Sequence, residues 1–231
     1  MLYFAGLSLY VTFTPTTTQF NEGMNETHAS LFRQDPVLYQ LVLQASPIIT
    51  PTTTRPIYDA LLSSVISQQL SVKAAATIKA RFLALFPENY PEPSLLLSMP
   101  FETLRAAGLS KQKIGYLQNL AEHKAAGHLE DNLLAHLPDE ELIARLVQVK
   151  GIGRWTAEMI LMFALHRPDV MPVDDLGIYN AMKRLYQFTE SHKQAKAKML
   201  ELSLPWKPHR TLACRYLWQS LDNAPVSSPE S

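Results

Sequence analysis

The sequence predicts an all-α protein, and three observations carry that expectation. Apolar residues recur at spacings of three and four through nearly every segment between prolines, strict alternation is scarce after residue 24, and glycine or proline punctuates the segment ends. With 231 residues and 47% hydrophobic content, the chain can bury a sizeable core as one body or two joined lobes.

The elements follow in chain order. The opening MLYFAGLSLYVTF lacks the basic flank and small-residue cleavage site of a secretory signal, and it is too short to span a bilayer. Residues 1–24 therefore read as an extension, either a strand or a start-site artefact with Met24 as the alternative start. From Ile57, IYDALLSSVISQQL sets Ile57, Leu61, Val65 and Leu70 near one face, and SVKAAATIKARFLALF begins a second helix capped by Ser71. PSLLLSMPFETLRAAG, LSKQKIGYLQNLAEHKAAG and PDEELIARLVQVKG each open on a cap or proline and close on glycine, as short helices do. Residues 154–166 form a further helix, RPDVMPVDD is a loop with two prolines, and LGIYNAMKRLY starts the next helix. The tail, 224–231, carries no periodicity and reads as loose.

Composition narrows the function. Cys214 is the single cysteine, so an internal disulfide, a four-thiolate cluster and a cysteine-rich zinc site are all excluded, and a reducing intracellular setting fits best. In its apolar stretch Cys214 reads as a buried small hydrophobe. The seven histidines lack ligand spacing, and His166 and His209 read as capping or surface groups, so no side-chain metal site and no cofactor is expected. With 21 basic and 21 acidic residues, nucleic-acid binding must come from local arrangement.

Such an arrangement stands at LVQVKGIGRWTAEMI, where Lys150, Gly151, Ile152 and Gly153 join two helices in a short turn. Its glycines supply backbone conformations that other residues resist, and Ile152 plugs the helix pair together. The amides of Gly151, Gly153 and the next helix start then point outward as a phosphate site reinforced by the helix dipole. The turn alone is equally an ordinary helix–helix connection.

VKGIGRWTAEMI followed by VMPVDDLGI resembles the helix-hairpin-helix glycosylase superfamily in order and spacing, with an aspartate about 20 residues beyond the hairpin. VISQQLSVKAAATI, GLSKQKIGYLQNLA and WKPHRTLACRYLW are similar to the AlkA-like, 3-methyladenine DNA glycosylase II branch, so the resemblance runs from about residue 55 to 222. It implies an all-α, two-lobed fold with the active-site cleft between lobes, and an N-terminal β domain absent or much reduced. The glycosylase domain spans 25–223, with a central lobe at about 57–165 and a second lobe from about 25–56 plus 166–223.

The resemblance implies a monofunctional enzyme of base excision repair that flips alkylated purines from double-stranded DNA. Asp175 is the implied catalytic residue, an ionised carboxylate beneath the sugar that stabilises developing positive charge and orients water. Asp174 reads as a helix cap. Bifunctional members place a lysine nucleophile just after the second hairpin glycine, and that position reads Trp155 here, which disfavours lyase chemistry.

Trp155 and Trp218 are candidates for stacking on a cationic base, although each also reads as a core residue. At Met159 and Leu176 the sequence departs from the aromatics of AlkA-like pockets, which implies a wider pocket. Gln69 and Leu70 occupy the family's wedge position in the SQQLS turn, with Leu70 as a core residue the alternative, and Gln68 is placed to reach DNA or the pocket. Lys150, Arg154 and Thr156 are candidate phosphate contacts. A monovalent cation bridged by the carbonyls of Val147, Val149 and Gly151 is a further implication. The expected partner is damaged duplex DNA, the expected state a monomer away from membranes, and the location the cytoplasm or nucleoid. The competing readings are a non-catalytic helix-hairpin-helix module, a bifunctional lyase and an all-helical scaffold.

Overall fold

The computed structural model describes residues 18–51 and 53–222, and among these there are helices and no strand. The α-helices are α1 (Thr18–Ser30), α2 (Pro36–Gln44), α3 (Ile57–Ser67), α4 (Val72–Leu83), α5 (Pro93–Ser98), α6 (Phe101–Ala106) and α7 (Lys111–Ala125). They continue with α8 (Asp131–Leu134), α9 (Asp139–Leu146), α10 (Arg154–Phe163), α11 (Leu176–Tyr186), α12 (His192–Leu202) and α13 (Arg210–Asp222). The all-α expectation holds. None of the described helices is long and apolar enough to cross a membrane.

The chain divides into two compact units. Among the described residues, one holds 53–166 and the other 18–51 with 167–222. In the first, α3 packs against α4, α7 and α10. It is buried around nearly its whole circumference, with Ile57, Leu61 and Val65 fully buried, which is the pattern of a helix at the centre of a core. Ser71 caps α4 by accepting from the Ala74 amide at 3.3 Å.

In the second unit, α11 packs against α12 and α13, and α13 against α2. Buried Asp35 organises it. One carboxyl oxygen caps α2 by accepting from the amides of Val37 and Leu38, both at 3.0 Å. The other accepts from Tyr186 Oη at 2.6 Å and from the indole of fully buried Trp206 at 2.8 Å. Cys214 is fully buried, as its apolar surroundings predict.

Three boundaries correct the sequence reading. PSLLLSMPFETLRAAG is not one helix: Pro100 has no amide hydrogen and pushes Met99 to the extended region (φ −67°, ψ 130°), so α5 and α6 are separate. Helix α10 stops at Phe163, and His166 takes a left-handed φ of 53° with its ring bonded to the Thr53 carbonyl at 2.9 Å. The extension read over residues 1–24 lies outside the described residues for 1–17, but α1 already begins at Thr18, upstream of Met24. The loose tail, 224–231, also lies outside them.

Candidate active site

The loop RPDVMPVDD delivers Asp175 to the N-cap of α11, with extended backbone (φ −77°, ψ 120°). Asp175 Oδ1 accepts from the Ile178 amide at 2.8 Å and from Trp218 Nε1, on α13, at 2.9 Å. Two donors from different helices set the direction of the carboxyl group of Asp175, a residue 9% exposed. The contact needs Gly177, because a Cβ there would stand 3.0 Å from both Asp175 Oδ1 and Trp218 Nε1. Gly177 had no local signal in the sequence, since its role is a close tertiary approach.

Asp174 is not the cap, which corrects the sequence reading. Leu176 opens the helix, so the capping position falls one residue later, and Asp174 instead pairs with Lys196 of α12. A second grip on the same loop comes from His192, whose Nε2 donates to the Val173 carbonyl at 2.7 Å. Its ring stacks on Tyr179 with centroids 4.8 Å apart. Leu176, beside Asp175, is 56% exposed.

In the other unit, residues 147–153 form the hairpin between α9 and α10. Gly151 has a φ of +86°, and a Cβ there would run into the Tyr116 ring, so this glycine is required twice over. Gly153 differs from expectation: its φ is −91°, open to any residue, and a Cβ would meet open space. What it contributes is bareness. No side chain caps α10 at Gly153, which leaves the first turn of that helix to an outside acceptor. Ile152 is buried, as a plug would be, and its amide bonds the Val149 carbonyl at 3.0 Å. Lys150 is exposed, with its amide held by Asn119 Oδ1 at 2.9 Å.

Burial and pairing describe three further candidates. Arg154 is no idle cation: both terminal nitrogens bond Glu140, at 2.6 and 3.0 Å, and Nε bonds buried Glu158 at 3.0 Å. The hydrogen bonds to Glu140 are the largest influence raising its pKa. Thr156 is 5% exposed and Met159 wholly buried, because both lie on the core face of α10, so neither stands on an open surface. Trp155 and Trp218 are both half-buried.

In the SQQLS turn, Gln69 is exposed and Leu70 half-buried beyond the end of α3, not on its core face. Gln68 is half-buried, and its Nε2 donates to the Gly151 carbonyl at 2.9 Å. Among the described residues no group of three or more His, Cys, Asp or Glu is arranged to hold a metal ion.

Comparison with known proteins gives the class first. The pattern of HhH-GPD superfamily base excision DNA repair proteins matches residues 62–208, more than half of the chain, and the chain belongs to this superfamily. Within it, the chain is 41% identical over 174 residues to DNA-3-methyladenine glycosylase 1 of Schizosaccharomyces pombe, covering 74% of this chain and 75% of that protein. Some relatives are longer: the chain spans 59% of a Bacillus subtilis protein to which it is 34% identical.

Solved structures agree on the fold. The crystal structure of DNA-3-methyladenine glycosidase from Bacillus halodurans aligns with a TM-score of 0.76 at 33% identity, covering 91% of this chain and 92% of that one. The Schizosaccharomyces pombe 3-methyladenine DNA glycosylase in complex with abasic DNA aligns with a TM-score of 0.71 at 36% identity, covering 88% and 99%.

Proposed function

We propose that this chain is a monofunctional DNA glycosylase that removes alkylated purines of the 3-methyladenine and 7-methylguanine type. The observation that carries the reading is the Trp218–Asp175 hydrogen bond at the start of α11, a carboxylate aimed by two donors and flanked by an indole. The relatives named as 3-methyladenine glycosylases support the substrate class.

The chemistry follows from charge. As the bond between C1′ and the base nitrogen breaks, its electron pair leaves with the base and the sugar becomes cationic. A fixed carboxylate stabilises that cation more than the ground state. Water then adds to C1′, giving up its proton to Asp175 or to solvent, and an abasic site remains. An alkylated purine is already cationic and needs little acid assistance to leave. With Trp155 where lyases carry a lysine, no Schiff base forms and the strand stays intact.

The same reading gives Trp155 and Trp218 each the role of stacking on the flipped base and Leu176 a place in the pocket lining. Gln69 and Leu70 fill the gap it leaves, and the hairpin Lys150–Gly153 holds a phosphate. The carbonyls of Val147, Val149 and Gly151 are the groups that would hold a monovalent cation there; those of Val149 and Gly151 already accept one bond each and retain a second lone pair.

The test is base release from alkylated duplex by wild type and by Asp175→Asn, with the strands examined for nicking. Asparagine keeps an acceptor for Ile178 and Trp218 but not the charge. Release by wild type without nicking, abolished in the variant while duplex binding survives, is expected. Binding without release by folded wild type would leave a non-catalytic helix-hairpin-helix module.

A further inference from the structure

One face of α7 holds both DNA-facing turns of its unit. Lys113, Tyr116 and Asn119 recur every three residues, which puts them along one stripe of the helix. Asn119 and Tyr116 fix the hairpin, one through the Lys150 amide and the other by filling the space beside Gly151. Lys113 fixes the other turn: its Nζ donates to the carbonyls of Ile66 at 2.7 Å and Gln68 at 2.8 Å. These lie at the C-terminal end of α3, where orphan carbonyls and the helix dipole both favour a cation.

The Gln68 carbonyl is more than a convenient acceptor. Ser67 to Leu70 form a β-turn, closed by the Leu70 amide on the Ser67 carbonyl at 3.1 Å. Gln68 has φ −49° and ψ 128°, and Gln69 has φ +58°, the signs of a type II turn. Types I and II differ by a flip of the central peptide, whose carbonyl is that of Gln68. Type II normally requires glycine or asparagine where Gln69 stands, so the glutamine is held in a disfavoured conformation. Lys113 pins the peptide from one side, while the Gln68 side chain is pinned to Gly151 from the other.

We propose that Lys113 and Gln68 are positioning residues that hold this turn in its type II form and in register with the hairpin, so that base extrusion depends on them while duplex binding does not. The inference rests on the glycosylase reading for the meaning of extrusion. It predicts that the tip residue Gln69 is presented to DNA only while Lys113 keeps its two acceptors.

The experiment compares wild type with Lys113→Met, which keeps the stem but loses the donors, with Lys113→Arg as the conservative variant and Gln68→Ala as an independent probe. Extrusion is read directly from the fluorescence of 2-aminopurine in a bound duplex, which needs no excision. Excision is read in single turnovers on an alkylated base, either normally paired or opposite an abasic site where extrusion is cheap. The expected result is duplex affinity within about threefold of wild type, an extrusion signal and paired-base excision both reduced about tenfold, and most of the excision loss recovered opposite the abasic site. Lys113→Arg should regain part of the signal. Unchanged extrusion in folded Lys113→Met and Gln68→Ala would overturn the proposal, as would an equal loss on both excision substrates. If wild type extrudes 2-aminopurine but excises nothing, the glycosylase reading fails while the fluorescence comparison still decides this one.

Discussion

Trp218 donates its indole hydrogen to the same Asp175 oxygen that caps α11, so one oxygen atom fixes a helix start and aims the carboxyl group. The cap and the proposed catalyst are one residue. An aspartate at the N-cap is ordinary helix chemistry, with its negative charge at the positive end of the dipole. The indole adds an aim from a second helix.

Replacing Gly177 with alanine tests that aim. The added methyl stands 3.0 Å from both partners, so the carboxyl group or the indole must give by a few tenths of an ångström and their alignment changes. Alanine in a helix is itself favoured over glycine by about 0.5–1 kcal/mol, which offsets part of the cost of that close contact. The turnover number is expected to fall about tenfold to a hundredfold, as misplacement of a catalytic group does. An unchanged turnover number in single-turnover assays would mean that the Trp218 contact is not needed.

Asp35 should carry a large share of the second unit's stability. Burial first, and then the bond to Asp35, push the Tyr186 pKa up, so its hydroxyl remains a donor. In Asp35→Asn the amide oxygen can still cap α2, but its NH2 group faces the Trp206 N–H, donor against donor. A loss of about 2–4 kcal/mol is expected in urea unfolding, the cost of a broken buried network. A loss below about 1 kcal/mol would show that the network relaxes around an amide.

His28 gives the fold a pH dependence of definite sign. Burial lowers its pKa, and the neutral ring bonds Tyr216 Oη at 2.7 Å. The unfolded chain therefore binds a proton more readily than the folded one. The contribution is complete above the unfolded pKa of about 6.5 and is lost as pH falls from there through the lower folded value. Melting temperature should drop between about pH 7.5 and pH 5.5, and His28→Asn should make that slope shallower. An identical slope in the variant would assign the effect to other groups.

What the sequence disclosed was mostly local. The hairpin could be read because glycine spacing and helical periodicity both lie within a few residues, and Ser71 was legible as a cap and Leu176 as a helix start for the same reason. What it hid was distant. Nothing near Arg154 announces that Glu140, across the hairpin, takes its guanidinium. Gly177 and the Asp35–Trp206 bond likewise depend on helices far apart in the chain. The two aspartates show the limit most plainly: capping and catalysis were divided between Asp174 and Asp175, whereas the helix boundary hands the cap to Asp175 and leaves Asp174 to Lys196.

The Arg154–Glu140–Glu158 cluster has a consequence for how such a protein travels on DNA. Because that guanidinium is neutralised within the protein, the proposed role leaves the hairpin to meet a phosphate with peptide dipoles and the ammonium of Lys150. In that role few condensed cations would be expelled from the duplex at the hairpin, and its share of the slope of log affinity against log salt would be small. Its hold is tempered at low ionic strength and durable at high, a grip suited to release and re-engagement along undamaged sequence, with commitment left to the extruded base.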